Sequence, residues 1–131
     1  MTIERRIAGR AKDLVGNQVE STKEHKQESA YRSLCEGFPI LLRSAGLAQA
    51  VSYLRAKSKD EYDGYGALYG HLQEQFRNLE FLGAKEELSE KAADPGLSQA
   101  GYRLYSEIAM QAALWHKRMA QALLRPKKDE K

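Results

Sequence analysis

The stretch FPILLRSAGLAQAVSYLRAKS, residues 38–58, decides the fold. Its Leu, Val and Ala content is that of a buried helix, yet Arg43, Arg55 and Lys57 interrupt it. Pro39 opens the run and Gly46 splits it. Proline has no N–H to donate and disfavours helix in the residue before it, so Pro39 is expected in the first turn of a new helix. That helix, ILLRSA, is barely two turns long before Gly46, whose tolerance of positive φ suits a helix end. Leu47, Ala50, Val51 and Leu54 then resume the helical period. The expectation is a corner: Pro39 and Gly46 together bend one apolar run so that a short chain wraps its own core.

The rest of the chain agrees with a helical reading. Only nine of 131 residues are β-branched (three Val, four Ile, two Thr), against 16 Leu and 17 Ala, and nowhere does strict apolar/polar alternation persist. The fold class expected is all-α: a single-domain bundle of about five to six helices over residues 1–125, with a mobile tail at 126–131. No apolar run approaches the roughly 20 residues of a membrane span. The basic N-terminus, MTIERRIAGRAKDLV, lacks the continuous apolar segment of a signal peptide. The single Cys35 cannot form an internal disulfide, which fits a reducing cytoplasm and a packing role.

Ile3, Ile7, Ala11 and Leu14 recur at helical spacing, predicting a helix over about 3–15 with Thr2 as N-cap. Gly16 and Asn17 either end that helix or lie within a longer one. Ser21 followed by Glu24 is a capping-box pattern for a second helix, with Tyr31, Leu34, Cys35 and Phe38 as its buried stripe. After a linker at SKDEYDG, Tyr62, Tyr65, Tyr69, Leu72, Phe76 and Leu79 repeat at alternating spacings of three and four. Gly66 and Gly70 beside that seam each cost roughly 1 kcal/mol in a helix, so close approach of another helix is expected there. A short acidic helix over about 85–93 ends at ADPG. Ser98 can cap a last helix whose stripe is Tyr105, Ile108, Ala112, Trp115 and Met119.

Charge is distributed in blocks. Residues 1–59 carry net +5, 60–96 net −6 and 97–131 net +4. Such a chain either presents electrically distinct faces, one suited to phosphate and one to a basic neighbour, or merely segregates solvated helix surfaces. Catalytic chemistry finds no footing. His25, His71 and His116 are far apart with no HExxH and no paired Cys/His spacing, so no metal or other cofactor is expected. GYGALYG lies in an amphipathic helix with no preceding strand, which argues against a phosphate cradle. Nothing assembles a nucleophile, a base and an orienting group. The expectation is a non-enzyme.

Two separated segments carry a family resemblance. In YRSLCEGFPILLRSAGLAQAVSYLRAKS, the residues Tyr31, Arg32, Ser33, Pro39, Leu42, Arg43, Gly46, Leu47 and Leu54 match one motif in order. Near the C-terminus, Tyr102, Arg103, Trp115, Lys117, Arg118 and Ala120 match a second. The chain thereby resembles the small subunit of the type III-B CRISPR RNA-guided effector, the Cmr complex. It departs at Ser44, where Asn is common, at Tyr53, where Phe is common, and through 59–97, which matches loosely. The resemblance implies a non-catalytic helical subunit that stacks in several copies along a filament beside the crRNA–target RNA duplex. The implied partners are other Cmr subunits, further copies of itself, crRNA and target RNA.

Within that frame Arg32, Arg43, Arg55, Lys57, Lys117, Arg118 and Arg125 are the candidate RNA-backbone contacts. Arg118, Gln121 and Arg125 share one helical face and can track a backbone without reading bases, as expected where guide pairing carries specificity. Arg5, Arg6, Arg10 and Lys12 form a further basic group for RNA or for protein. Trp115 reads as core rather than as a stacking platform. The competing reading is a protein-interaction scaffold with no direct RNA contact. A DNA-binding regulator is weaker, because no polar recognition helix follows the turn at Gly46.

Overall fold

A computed structural model describes residues 2–21, 25–60 and 63–125, including all of their side chains except those of 19–21, 25 and 26. Its elements are α1 (Ile3–Ser21), α2 (His25–Ala45), α3 (Leu47–Lys57), α4 (Gly64–Asn78), α5 (Leu88–Ala93) and α6 (Gln99–Leu123). Among the described residues no strand occurs, as the scarcity of β-branched residues predicts.

Thr2 caps α1: its hydroxyl accepts from the Arg5 N–H at 3.2 Å. Ile7, Ala11, Leu14, Val15 and Gln18 are buried, whereas Ile3 is exposed. Of the two outcomes left open at Gly16, the longer helix is the one adopted. Val15 and Gln18 prolong the buried stripe, and Gly16 does not take the positive φ of a helix end. Ser21 is the last residue of α1, and Glu24, its expected capping partner, lies outside the described residues, as do Tyr62 and the tail 126–131.

Pro39 does not begin a helix. It sits inside α2, which runs unbroken from His25 to Ala45. A proline inside a helix forfeits one hydrogen bond and costs about 3 kcal/mol. Phe38 and Leu42, buried on either side of it, offset that cost at roughly 1.5–3 kcal/mol each. Burial overrides the local preference.

Gly46 does make the corner. Its N–H donates to the Leu42 carbonyl at 3.0 Å and its carbonyl accepts from the Ala50 N–H at 2.9 Å, so one residue ends α2 and starts α3. With φ 86 and ψ 166 it occupies an extended positive-φ region open essentially to glycine alone. It offers α3 no side-chain cap, and the Tyr102 hydroxyl on α6 supplies one by accepting from the Ala48 N–H at 3.1 Å.

Asp63 caps α4 by accepting from the Gly66 N–H at 2.7 Å. The close approach expected at Gly66 and Gly70 is otherwise arranged. A Cβ at Gly66 would lie 2.0 Å from the Asp60 carbonyl oxygen, in the preceding loop rather than a helix, and one at Gly70 would meet nothing within 4 Å. It is Gly64 that admits a helix, with Leu34 of α2 2.8 Å from the place of its Cβ. Tyr69, Leu72, Phe76 and Leu79 are buried, as the seam predicted.

The short helix begins later than expected, at Leu88. Its first amides are held from α4, where Gln73 Oε1 accepts from the Leu88 N–H and the Tyr69 hydroxyl from the Ser89 N–H. Ser98 caps α6 at 3.0 Å from the Gly101 N–H. The buried stripe of α6 is Tyr105, Ile108, Ala109, Ala112, Ala113, His116 and Ala120. Trp115 and Met119 lie at its margin, partly buried against the core. The small alanines let α6 pack closely between α1 and α2, its two chief neighbours.

Candidate nucleic-acid interface

Helices α2 and α6 run antiparallel, and polar contacts fix their register. Near the start of α2, Glu28 accepts from the Arg125 backbone N–H at 2.7 Å, from its Nε at 2.8 Å and from its Nη2 at 2.6 Å. One turn on, Arg32 donates to the Leu124 carbonyl at 3.3 Å. After another turn, Glu36 accepts from the Gln121 amide at 3.1 Å. Helical periodicity carries this line three turns beyond Arg32 to Arg43 on α2, and one turn back from Gln121 to Lys117 and Arg118 on α6. Five of the seven candidate cations therefore border one seam. Arg55 and Lys57 stand apart on α3.

The seven differ in how far the fold has engaged them. Glu28 is buried, with a side chain only 3 % exposed, and Arg125 pairs with it at 2.6 Å. Arg32 is half-buried, donates to a carbonyl and pairs with Glu36 at 3.7 Å. Arg55 bonds Ser89 Oγ at 3.0 Å and pairs with Glu87 at 3.6 Å and Glu90 at 3.8 Å, clamping α5 onto α3. Lys57 is exposed, its ammonium 5.9 Å from the centre of the Tyr53 ring. Arg118 is exposed and lies over Trp115, 5.1 Å from its ring centre. Exposed Arg43 and half-buried Lys117 have no hydrogen bond or ion pair with any described residue. The unneutralised charge of the seam is thus at its middle: Arg43, Lys117 and Arg118.

The other basic group divides in the same way. Arg6 donates to the Asn78 carbonyl and Arg10 to Glu74 at 3.3 Å, tying α1 to α4, while Arg5 and Lys12 are exposed. In the acidic block Glu74 also pairs with Arg77, and Glu86 with Lys91. Across the blocks, Arg10 offsets Glu74, and Arg55 offsets Glu87 and Glu90.

The structure also assembles a buried polar cluster that sequence spacing does not reveal. Tyr31 of α2, His71 and Gln75 of α4 and His116 of α6 meet in the core, although up to 85 residues separate the outermost pair. Burial pushes the His71 imidazole down to about 4 and that of His116 down to about 3, keeping both neutral. Burial likewise pushes the Cys35 thiol up to about 12, where it is inert. Among the described residues no three His, Cys, Asp or Glu side chains are arranged to hold a metal ion. No helix of the described residues is long and apolar enough to cross a membrane.

An all-α bundle with a cationic seam between its second and last helices is the class of protein these features define. The family model described as "CRISPR-associated protein (Cas_Cmr5)" matches residues 6–123. A curated relative, the "CRISPR system Cmr subunit Cmr5" of Thermus thermophilus, is 34% identical over 94 residues, covering 72% of this chain and 75% of the relative. The chain belongs to the Cmr5 family, as its two motifs indicated. The fold is shared with a crystal structure of a CRISPR-associated Cmr5 family protein, also from Thermus thermophilus. That likeness has a TM-score of 0.74 at 24% identity, covering 95% of this chain and 100% of that one.

Proposed function

We propose that this chain is a non-catalytic subunit of a cytoplasmic CRISPR Cmr effector complex, stacking with further copies beside the crRNA–target RNA duplex and touching the RNA backbone through the α2/α6 seam. One observation carries the reading: Arg43, Lys117 and Arg118 lie along one seam with no acidic partner among the described residues. Charge of that kind binds phosphate without selecting bases. Lys57, exposed on α3, is a further contact of the same kind. Arg32, Arg55 and Arg125 act chiefly within the fold.

The test is a salt titration of target-RNA binding by complexes reconstituted with Arg43→Ala or with Lys117→Ala/Arg118→Ala. Retention is expected to fall similarly for all target sequences while incorporation stays normal. Unchanged retention in an intact assembly would reduce these residues to solvated surface. The second reading, a scaffold without RNA contact, draws on the internal pairing of Arg32, Arg55 and Arg125. Variants that fail to incorporate would decide for it.

A further inference from the structure

The buried cluster at the junction of α1, α2, α4 and α6 has a direction, and its hydrogen bonds fix it from Gln75 through His116. Gln75 Nε2 lies 3.0 Å from the Ile7 carbonyl oxygen, and only an N–H can face a carbonyl, so the amide is oriented. The same nitrogen lies 3.0 Å from His116 Nε2. An amide nitrogen accepts nothing, so it donates and His116 Nε2 accepts. The His116 proton then sits on Nδ1, from which it donates to the Tyr31 hydroxyl oxygen at 3.4 Å. The Tyr31 hydroxyl is closer to His71 Nδ1, at 2.7 Å, and donating there it leaves the His71 proton on Nε2. The two imidazoles stack with centroids 5.9 Å apart. One acceptor is left over: Gln75 Oε1 is buried and has no partner among the described residues.

We propose that this relay is an acid-sensitive latch: it holds His116 and His71 as opposite neutral tautomers, and a second proton on His116 turns the Gln75 amide and releases α1. A proton added at His116 Nε2 faces the Gln75 N–H, donor against donor. Rotating the amide brings its orphan Oε1 to accept that proton, but then sets an oxygen against the Ile7 carbonyl and breaks the tie to α1.

Among the described residues no counter-ion beside the two imidazoles is free to absorb the charge. The charged groups that bear on His71 are Glu74 on its own helix and Arg10 on α1, which are paired with each other at 3.3 Å. From α2 the neighbours are the neutral Tyr31 and Cys35, and the group that bears electrostatically on His116 is His71 itself. The released form takes up protons near the ordinary histidine value of about 6.5, whereas the latched form stays neutral well below it. Opening is therefore favoured as pH falls below about 6.5, by up to tenfold per pH unit for the proton on His116.

The experiment uses the full chain labelled with ¹⁵N. Long-range proton–nitrogen correlations are expected to show His116 protonated at Nδ1 and His71 at Nε2, both still neutral at pH 5. Backbone hydrogen exchange, corrected for its intrinsic pH dependence, should show α1 opening about thirtyfold more at pH 5 than at pH 7. Helix α3, which is outside the junction, should respond much less. His116→Gln should flatten the response of α1. A His116 proton on Nε2, titration of His116 near 6.5 in the folded chain, or equal response of α1 and α3 would each overturn the latch. The tautomer measurement needs no variant, so it decides the matter even if His116→Gln fails to fold.

Discussion

The α2/α6 seam is built differently at its ends and in its middle. At one end Gly46 turns the chain and Tyr102 reaches from α6 to cap α3. At the other, Arg125 closes on the buried carboxylate of Glu28. Between them lie Arg43, Lys117 and Arg118, which make no hydrogen bond or ion pair with any described residue. Arginine appears in both settings, so the residue type does not decide its role. What decides is whether a sequence-distant acid or carbonyl faces it. Where one does, the cation stabilises the fold; where none does, its charge is available to a partner.

The two ends carry the largest expected effects. Gly46→Val should destabilise by about 3 kcal/mol, because φ 86 with ψ 166 is strained for any side chain and most for a β-branched one. Space is not limiting: the nearest atom to a Cβ there is the Tyr102 hydroxyl at 3.7 Å. Gly46→Ala should therefore cost nearly as much, and a harmless alanine in denaturant unfolding would show that the corner is not a backbone constraint. Arg125→Ala should cost about 2 kcal/mol, since it strips two charge-assisted hydrogen bonds from a buried carboxylate. The figure stays below that of a fully buried pair because the Arg125 side chain is 53 % exposed. Tyr102→Phe should cost about 1 kcal/mol by leaving the Ala48 N–H without its acceptor. A loss equal to that of Gly46→Val would mean that Tyr102 holds the corner itself.

Legibility of the sequence followed the range of the interaction. Helix class, the N-caps at Thr2 and Ser98, and the corner at Gly46 depend on residues within a turn or two, and the sequence showed them. Pro39 misled because its local preference was real but smaller than the burial of Phe38 and Leu42, which depends on partners elsewhere in the chain. The seam was half legible. Spacing grouped Arg118 with Arg125, but the acid that claims Arg125 is Glu28, 97 residues away. The relay was not legible at all, since three histidines without a spacing pattern give no sign that two of them stack in the core.

The smallest effect on stability is expected in the middle of the seam, and it separates the two kinds of cation most sharply. Arg43→Ala removes a side chain that bonds no described residue, so unfolding should shift by no more than about 0.5 kcal/mol. Lys117→Ala/Arg118→Ala should cost slightly more, because Arg118 covers Trp115 and a cation–ring contact at an exposed cation contributes about 0.5–1 kcal/mol. If the proposed RNA contact holds, the same substitutions have their effect elsewhere. Each lost phosphate contact lowers the dependence of log affinity on log salt by about one unit. Arg125→Ala is the control: it should lower stability and leave that slope unchanged, since the Arg125 charge is already committed to Glu28. The comparison between ends and middle breaks if Arg125→Ala alters the slope as much as Arg43→Ala does. It is sharpened if Arg43→Lys, which keeps the charge and loses the planar fork, retains the full slope, because a bare phosphate contact requires only the charge.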